Sequence, residues 1–187
     1  MKKLSIDHLD DLAIGSAILG SGGGGDPFYD YVITRVQMEK NGPVPLLGYS
    51  DLEDEDVIAP IGIMGAPLAE KEKFASGREF LRQFEILEKT LNKKITVVMP
   101  FEIGGGNSFV PIMVASRLGL RVLDADTMGR AFPEAQMSTC HLFGISCSPG
   151  FITDCLGNTV SIYAGDCSRL EKIGRQVAVA MGSAAAF

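Results

Sequence analysis

Two glycine-rich stretches constrain this chain more than anything else in it: Gly20-Ser21-Gly22-Gly23-Gly24-Gly25-Asp26-Pro27 and Glu102-Ile103-Gly104-Gly105-Gly106-Asn107-Ser108. Glycine loses more conformational freedom on folding than any other residue, so two such clusters require a gain from bare backbone at both places. Each stretch opens into a segment that reads as a helix. The usual gain is then a ligand faced by free N–H groups at a helix start; the alternative is a pair of flexible or tightly turning loops. Gly20, Gly22 and Gly25 match G-x-G-x-x-G in spacing. A dinucleotide fingerprint, however, follows a strand, and here a helical segment precedes it. A phosphate loop would carry Lys-Ser/Thr where this chain has Asp26-Pro27, and a carboxylate there repels phosphate. The nucleotide-loop reading is therefore rejected. Asp26 reads either as a helix N-cap or as a carboxylate that orients water beside an N–H cradle.

The apolar periodicity gives the organisation. A helix is expected over residues 7–19, with Ile6, Leu9, Ala13, Ile14, Ala17 and Ile18 as its stripe, and a second from Asp26-Pro27 to Asn41-Gly42. Residues 46–49 and 56–64 read as strands, the latter as one buried run, and residues 77–91 as an amphipathic helix. Strand 95–99, the second glycine turn, helix 108–118 and strand 121–123 make a βαβ unit, with Glu102, Asp124 and Asp126 at the carboxyl ends of its strands. Residues 151–155 and 159–163 flank Leu156-Gly157-Asn158 as a hairpin, and a last helix starts after Asp166. The fold class is α/β: one domain over residues 1–187, with a mixed, largely parallel central sheet flanked by helices and a carboxyl-terminal hairpin and helix.

The 46% hydrophobic content supports a packed core, and 23 acidic against 17 basic side chains (net charge −6) without a basic stripe argues against nucleic acid. No apolar run reaches the length of a membrane span. Asp7, His8, Asp10 and Asp11 interrupt any signal-peptide core after Met1-Lys2-Lys3, so a cytoplasmic protein is expected. Cys140, Cys147, Cys155 and Cys167 lack CxxC spacing and read as reduced thiols. The last helix carries Ile173, Val177, Ala178, Val179, Ala180 and Met181, apolar nearly all round, with no closing strand expected after it. Such a helix needs cover, from further chain or from a second copy in a homo-oligomer.

The densest polar segment is Asp124-Ala125-Asp126-Thr127-Met128-Gly129-Arg130-Ala131-Phe132-Pro133-Glu134. D-x-D sets two carboxylates on one face of an extended chain, which raises one pKa or calls for a cation, either a metal or Arg130. The bland reading is a salt-bridged loop. Glu102 or Glu134 would complete a hard oxygen set for magnesium or manganese, but no metal is indicated. Cys140-His141 with Cys147 and Cys155 is irregular for zinc. No cofactor is assigned.

These three segments together resemble the S-methyl thiohydantoin desulfurase-like family, whose members occur beside or fused to hydantoinase and oxoprolinase subunits. The resemblance runs along the whole chain, while family proteins are considerably longer; it implies an amino-terminal domain that lacks a smaller β-rich partner. It also implies hydrolysis of a small cyclic amide-like substrate. At the matching positions, Asp126 or Glu134 is expected as the base for water and Asp26 as a second carboxylate. Arg130 and the N–H groups near Gly23 and Gly105 would stabilise developing charge. Gly22, Gly23, Gly24, Glu102, Gly104, Gly105, Asn107 and Asp124 are expected to bind substrate in one shared cleft. The alternatives are a non-catalytic subunit of a hydantoinase or oxoprolinase complex, and a metal-dependent hydrolase of an unrelated amide.

Overall fold

The computed structural model describes residues 2–73 and 76–187. A short strand, β1 (Lys2–Leu4), leads to α1 (Leu9–Gly20) and α2 (Pro27–Asn41), with the first glycine loop between them. Asp26 caps α2, its Oδ1 accepting from the Phe28 N–H at 3.1 Å, and Pro27 takes the first helical position. The expected stripe of α1 is only partly inward: Leu9 is fully buried, while Ile14 and Ile18 face solvent. After β2 (Val44–Leu47), the run expected as one strand divides into β3 (Ile58–Ile61) and β4 (Ile63–Gly65). Gly62 stands at the break. Its N–H and carbonyl pair with the carbonyl and N–H of Phe187, both at 2.9 Å, so the chain leaves one sheet and enters another there.

Two helices follow, α3 (Pro67–Glu70) and α4 (Arg78–Leu91). The expected βαβ unit is then made by β5 (Val97–Pro100), α5 (Val110–Leu118) and β6 (Arg121–Leu123), with β5 and β6 parallel neighbours. A short α6 (Thr139–Leu142) precedes the hairpin of β7 (Gly150–Thr153) and β8 (Thr159–Ile162). The chain closes with α7 (Cys167–Ala180), capped by Asp166, and β9 (Ala184–Ala186).

Among the described residues, five strands form a sheet in the order β1-β2-β6-β5-β3, parallel except for β1. Four more form an antiparallel sheet in the order β4-β9-β7-β8. The main core joins the first sheet to its helices around Phe80, Phe109, Val98 and Val114. A second core holds Met64, Ile152, Ile162 and Leu170 under α7. Gln83 of α4 is buried and donates through Nε2 to the carbonyls of Phe151 (3.2 Å) and Ala186 (2.7 Å), pinning the second sheet to the first core.

Three expectations change. Cys147 and Cys167 are joined in a disulfide, their Cα atoms 5.7 Å apart, so only Cys140 and Cys155 are free thiols. The pairing joins the loop before β7 to the first residue of α7 across the whole hairpin, which CxxC-type spacing does not register. A closing strand does follow the last helix: β9 is buried and pairs with β4 and β7. The chain's own second sheet therefore covers the Leu170, Gly174 and Ala178 face of α7, leaving Ile173 and Val179 exposed. No helix among the described residues is long and apolar enough to cross a membrane.

The glycine loops explain one another. A Cβ on Gly24 (φ +75°) would lie 2.2 Å from the Gly104 carbonyl oxygen, and one on Gly105 (φ +58°) 2.4 Å from that of Gly25. The N–H groups of Gly106 and Asn107 donate to the Gly25 and Gly24 carbonyls at 3.3 and 3.0 Å. Two backbones thus touch with no side chain between them. We expect Gly24→Ala to lower the unfolding free energy by at least about 3 kcal/mol, since strain and a backbone clash combine. Gly22→Ala, at φ +92° with open space around it, should cost only about 1–2 kcal/mol. Urea denaturation of both variants checks this; equal losses would leave no energetic part for the loop contact.

Candidate functional site

At the seam of the two sheets lies a cleft of about 130 Å³. The carboxyl end of β5 delivers Glu102 into it, and the loop between β5 and α5 delivers Asn107. Both are buried. Glu102 accepts from Asn107 Nδ2 at 2.8 Å through Oε1 and from the Phe132 N–H at 2.7 Å through Oε2. Asn107 is itself held from the other side, its Oδ1 accepting from the Ile63 N–H at 2.7 Å. Met64, Phe101 and Phe187 supply apolar wall, the last two rings packed edge to face.

Opposite the glycine loop stands Glu70, the last residue of α3. Its carboxyl packs so close to Gly25 that a Cβ there would meet Oε2 at 2.5 Å. Burial, reinforced by the charges of Asp30, Glu102 and Asp26, pushes the Glu70 carboxyl up to about 8. Asp30, buried in the first turn of α2 behind the loop, is pushed up to about 6 by burial and by Asp26. Glu102 is also raised by burial, against the lowering effect of its bonds from Asn107 and Phe132. Asp26 alone is lowered, chiefly by the Phe28 N–H and then by Lys71, whose Nζ lies 3.2 Å away. At the other wall Glu171 is buried but neutralised: Arg175 Nε donates to it at 2.7 Å, and the Ala135 N–H at 3.0 Å. The arrangement therefore sets a carboxyl that keeps its proton at neutral pH in one pocket with a second carboxylate held by N–H donors. It can give a proton and take one.

The family model of the S-Me-THD-like N-terminal domain matches residues 7–164. The chain belongs to the S-Me-THD-like family. This is the family that the glycine blocks and the 124–134 segment resemble. A crystal structure of a protein from Chromobacterium violaceum superimposes with a TM-score of 0.84 at 25% identity, covering 100% of this chain and 53% of that one. The chain thus spans about half the length of that structure. No curated protein matches the sequence.

In this S-Me-THD-like chain the three expected segments meet only in part. Gly24, Glu102, Asn107 and Glu134 line the cleft, with Glu134 on its exposed rim. Gly104 and Gly105 are buried beneath it in the contact between loops, and Gly22 points to open solvent. The Gly23 N–H, expected to face substrate, donates to the Gly20 carbonyl at 2.8 Å instead. Asp26 sits outside the cleft as the cap of α2 and the partner of Lys71. Arg130 is exposed and does not line the cleft. Asp124 and Asp126 line a different groove, and Asp126 Oδ2 organises the loop by accepting from the N–H groups of Ile103, Met128 and Gly129.

Sequence reasoning missed Glu70, Asp30 and the Glu171–Arg175 pair. Glu70 closes the four-residue helix α3 after β4, and what sets it apart is its packing against Gly25, a contact between segments far apart in sequence.

The raised Glu70 carboxyl has a defined consequence for stability. Below about pH 4.5 it is protonated in both folded and unfolded chains. From there to about pH 8 the unfolded chain has released a proton that the folded protein keeps, so stability falls as pH rises through this window. Glu70→Gln removes the group. The variant should match wild type near pH 4.5 and grow progressively more stable than it up to pH 8, measured as the urea midpoint against pH. Parallel curves would contradict the burial of this charge.

Proposed function

We propose that this chain takes part in hydrolytic desulfurisation of a small cyclic amide-like substrate of the S-methyl thiohydantoin class, as the amino-terminal domain of a longer protein. One observation carries the reading: the carboxyls of Glu70 and Glu102 line one small, partly apolar cleft, where burial raises both. The ring carbon of such a substrate bears the methylthio group and is double-bonded to a ring nitrogen. Water adds to that carbon, the carbon–sulfur bond breaks, methanethiol departs with one proton, and the ring keeps the oxygen as a carbonyl and the other proton on nitrogen. Glu102 is the acceptor for the proton of the attacking water, and its raised pKa makes it a better base than an exposed carboxylate. Glu70 is the donor to ring nitrogen or departing sulfur.

Asn107 is a positioning residue in this scheme, since its amide bonds hold Glu102 rather than point into the open cleft. Glu134 on the rim is the second carboxylate within reach of a substrate entering there. The base role first given to Asp126 passes to Glu102, because Asp126 lines another groove. The exposed Ile173 and Val179 of α7 support the further reading that copies of the protein associate through this helix.

The test is methanethiol release from an S-methyl thiohydantoin by the full-length protein. Glu70→Gln and Glu102→Gln should each lower kcat by about 10²–10⁴-fold, the usual range for loss of a general acid or base. Wild-type kcat should decline above about pH 8 as Glu70 loses its proton, and that limb should vanish in the Glu70→Gln variant. Wild-type rates in both variants would remove the pair from the chemistry. Full-length wild type that releases no methanethiol would instead favour the accessory-subunit reading.

A further inference from the structure

Asp124 and Asp126 stay unused in the cleft around Glu102, yet they line a groove of their own. It measures about 330 Å³, at the carboxyl ends of β5 and β6, with Leu4, Leu12, Leu46 and Ile112 among its walls. Ser108 also lines it. This serine is 2% exposed, and its Oγ has no hydrogen-bond partner. A buried hydroxyl left unpaired is costly and calls for an explanation at the site. The carboxylates are unmet as well. Asp124 is exposed without an ion-pair partner among the described residues, and the alternative of a loop salt-bridged through Arg130 is not realised there. Asp126 accepts backbone donors through Oδ2, and its Oδ1 has no hydrogen bond among the described residues.

We propose that this groove binds a small organic cation, a primary ammonium on an apolar body. The ammonium meets Asp124 and Asp126, the body lies against the leucine and isoleucine walls, and a polar atom on the ligand satisfies Ser108. An anion is disfavoured by two carboxylates on adjacent alternate positions. A metal ion would need several convergent ligands, and no group of three or more His, Cys, Asp or Glu side chains among the described residues offers them. The volume falls at the small end of ligand sites, and the position is the one α/β sheets favour. Glu102 faces the first cleft and the next residue, Ile103, the second, so the two sites sit back to back across one peptide. The inference stands independently of the desulfurisation reading, since the two sites share no lining residue.

The probe is n-hexylammonium chloride, titrated into the protein and followed by backbone amide shifts, with n-hexanol as the uncharged comparison. Hexylammonium should shift the amides around Ser108 and Asp124 with a dissociation constant on the order of 1 mM. Hexanol should bind roughly tenfold more weakly, and Asp124→Asn should weaken hexylammonium by roughly the same factor. Asp124 is exposed, so that variant should keep the wild-type urea midpoint; if it does not, loss of hexylammonium affinity with added salt in wild type is read instead. Equal binding of the amine and the alcohol would overturn the proposal, as would amide shifts confined elsewhere or a salt-independent affinity.

Discussion

Everything at the site rests on one contact, the meeting of two bare backbones. Gly24 lies on the Gly104 carbonyl and Gly105 on those of Gly23 and Gly25, closer than any side chain would permit. The two hydrogen bonds from Gly106 and Asn107 lock that approach. Because the first loop joins α1 to α2 and the second joins β5 to α5, the contact fixes the α1–α2 pair against the carboxyl end of the parallel sheet. It also places the Gly25 backbone directly beneath Glu70 and Gly24 beside Glu102. Glycine is required there to bring backbone against backbone, and the site inherits its geometry from that approach.

The acids of this fold fall into those tied to a cation and those left without one among the described residues. Glu171 has Arg175, Asp56 has Arg121, and Glu88 has Lys94. Each of these acids is tied to a cation that holds a strand end, a helix or a loop. Glu79 and Asp154 are buried and held without a cation, by Ser76 and by Asn158 with backbone N–H groups, and Asp30, Glu70 and Glu102 likewise have no cation partner among the described residues. Lys71, the next residue after Glu70, is bonded to Asp26 and packed over the Tyr29 ring, and Arg175 of the cleft wall is bonded to Glu171. Asp30, Glu70 and Glu102 are held above the ordinary carboxylate range chiefly by burial, and Glu70 and Glu102 line the cleft. The cost in stability is the one that linkage predicts for an acid buried in its neutral form.

Much of this architecture is written in the sequence in short-range terms. Asp26-Pro27 reads as a helix start and is one; Leu156-Gly157-Asn158 lies in the turn of the expected hairpin; strand, glycine turn, helix and strand give the parallel β5–β6 pair. What escaped depends on contacts between distant residues. The break at Gly62 becomes visible only once Phe187 pairs with it, 125 positions later. Ala184 to Ala186 carries no strand propensity worth the name, and its strand exists because β4 and β7 hold it between them. The site shows the same division. Glu102 and Asn107 are legible because they adjoin the glycines, whereas Glu70 acquires its character from burial against Gly25, which no local pattern encodes. Asp126 misled for a related reason: a D-x-D pair looks like chemistry in a sequence, but three backbone N–H groups converge on one of its oxygens.

The cleft exists because the two hydrophobic cores do not merge. One gathers around Phe80 and Phe109, the other around Ile152 and Leu170, and the seam between them is crossed by directional bonds as well as by the apolar contacts of Ala186 and of Phe101 with Phe187. Gly62 pairs with Phe187, Gln83 holds the carbonyls of Phe151 and Ala186, and Asn107 grips Ile63 on one side and Glu102 on the other. Apolar contacts are non-directional and tolerate sliding; hydrogen bonds of this kind lose their value within a few tenths of an ångström. A seam built from them can remain open to a small ligand and still hold its walls in register. Asn107 is the member that connects the two requirements, since the same amide that clasps β4 to the first sheet also orients the carboxylate at the centre of the cleft. The orientation of Glu102 is thus coupled to the docking of one sheet on the other through a single side-chain amide.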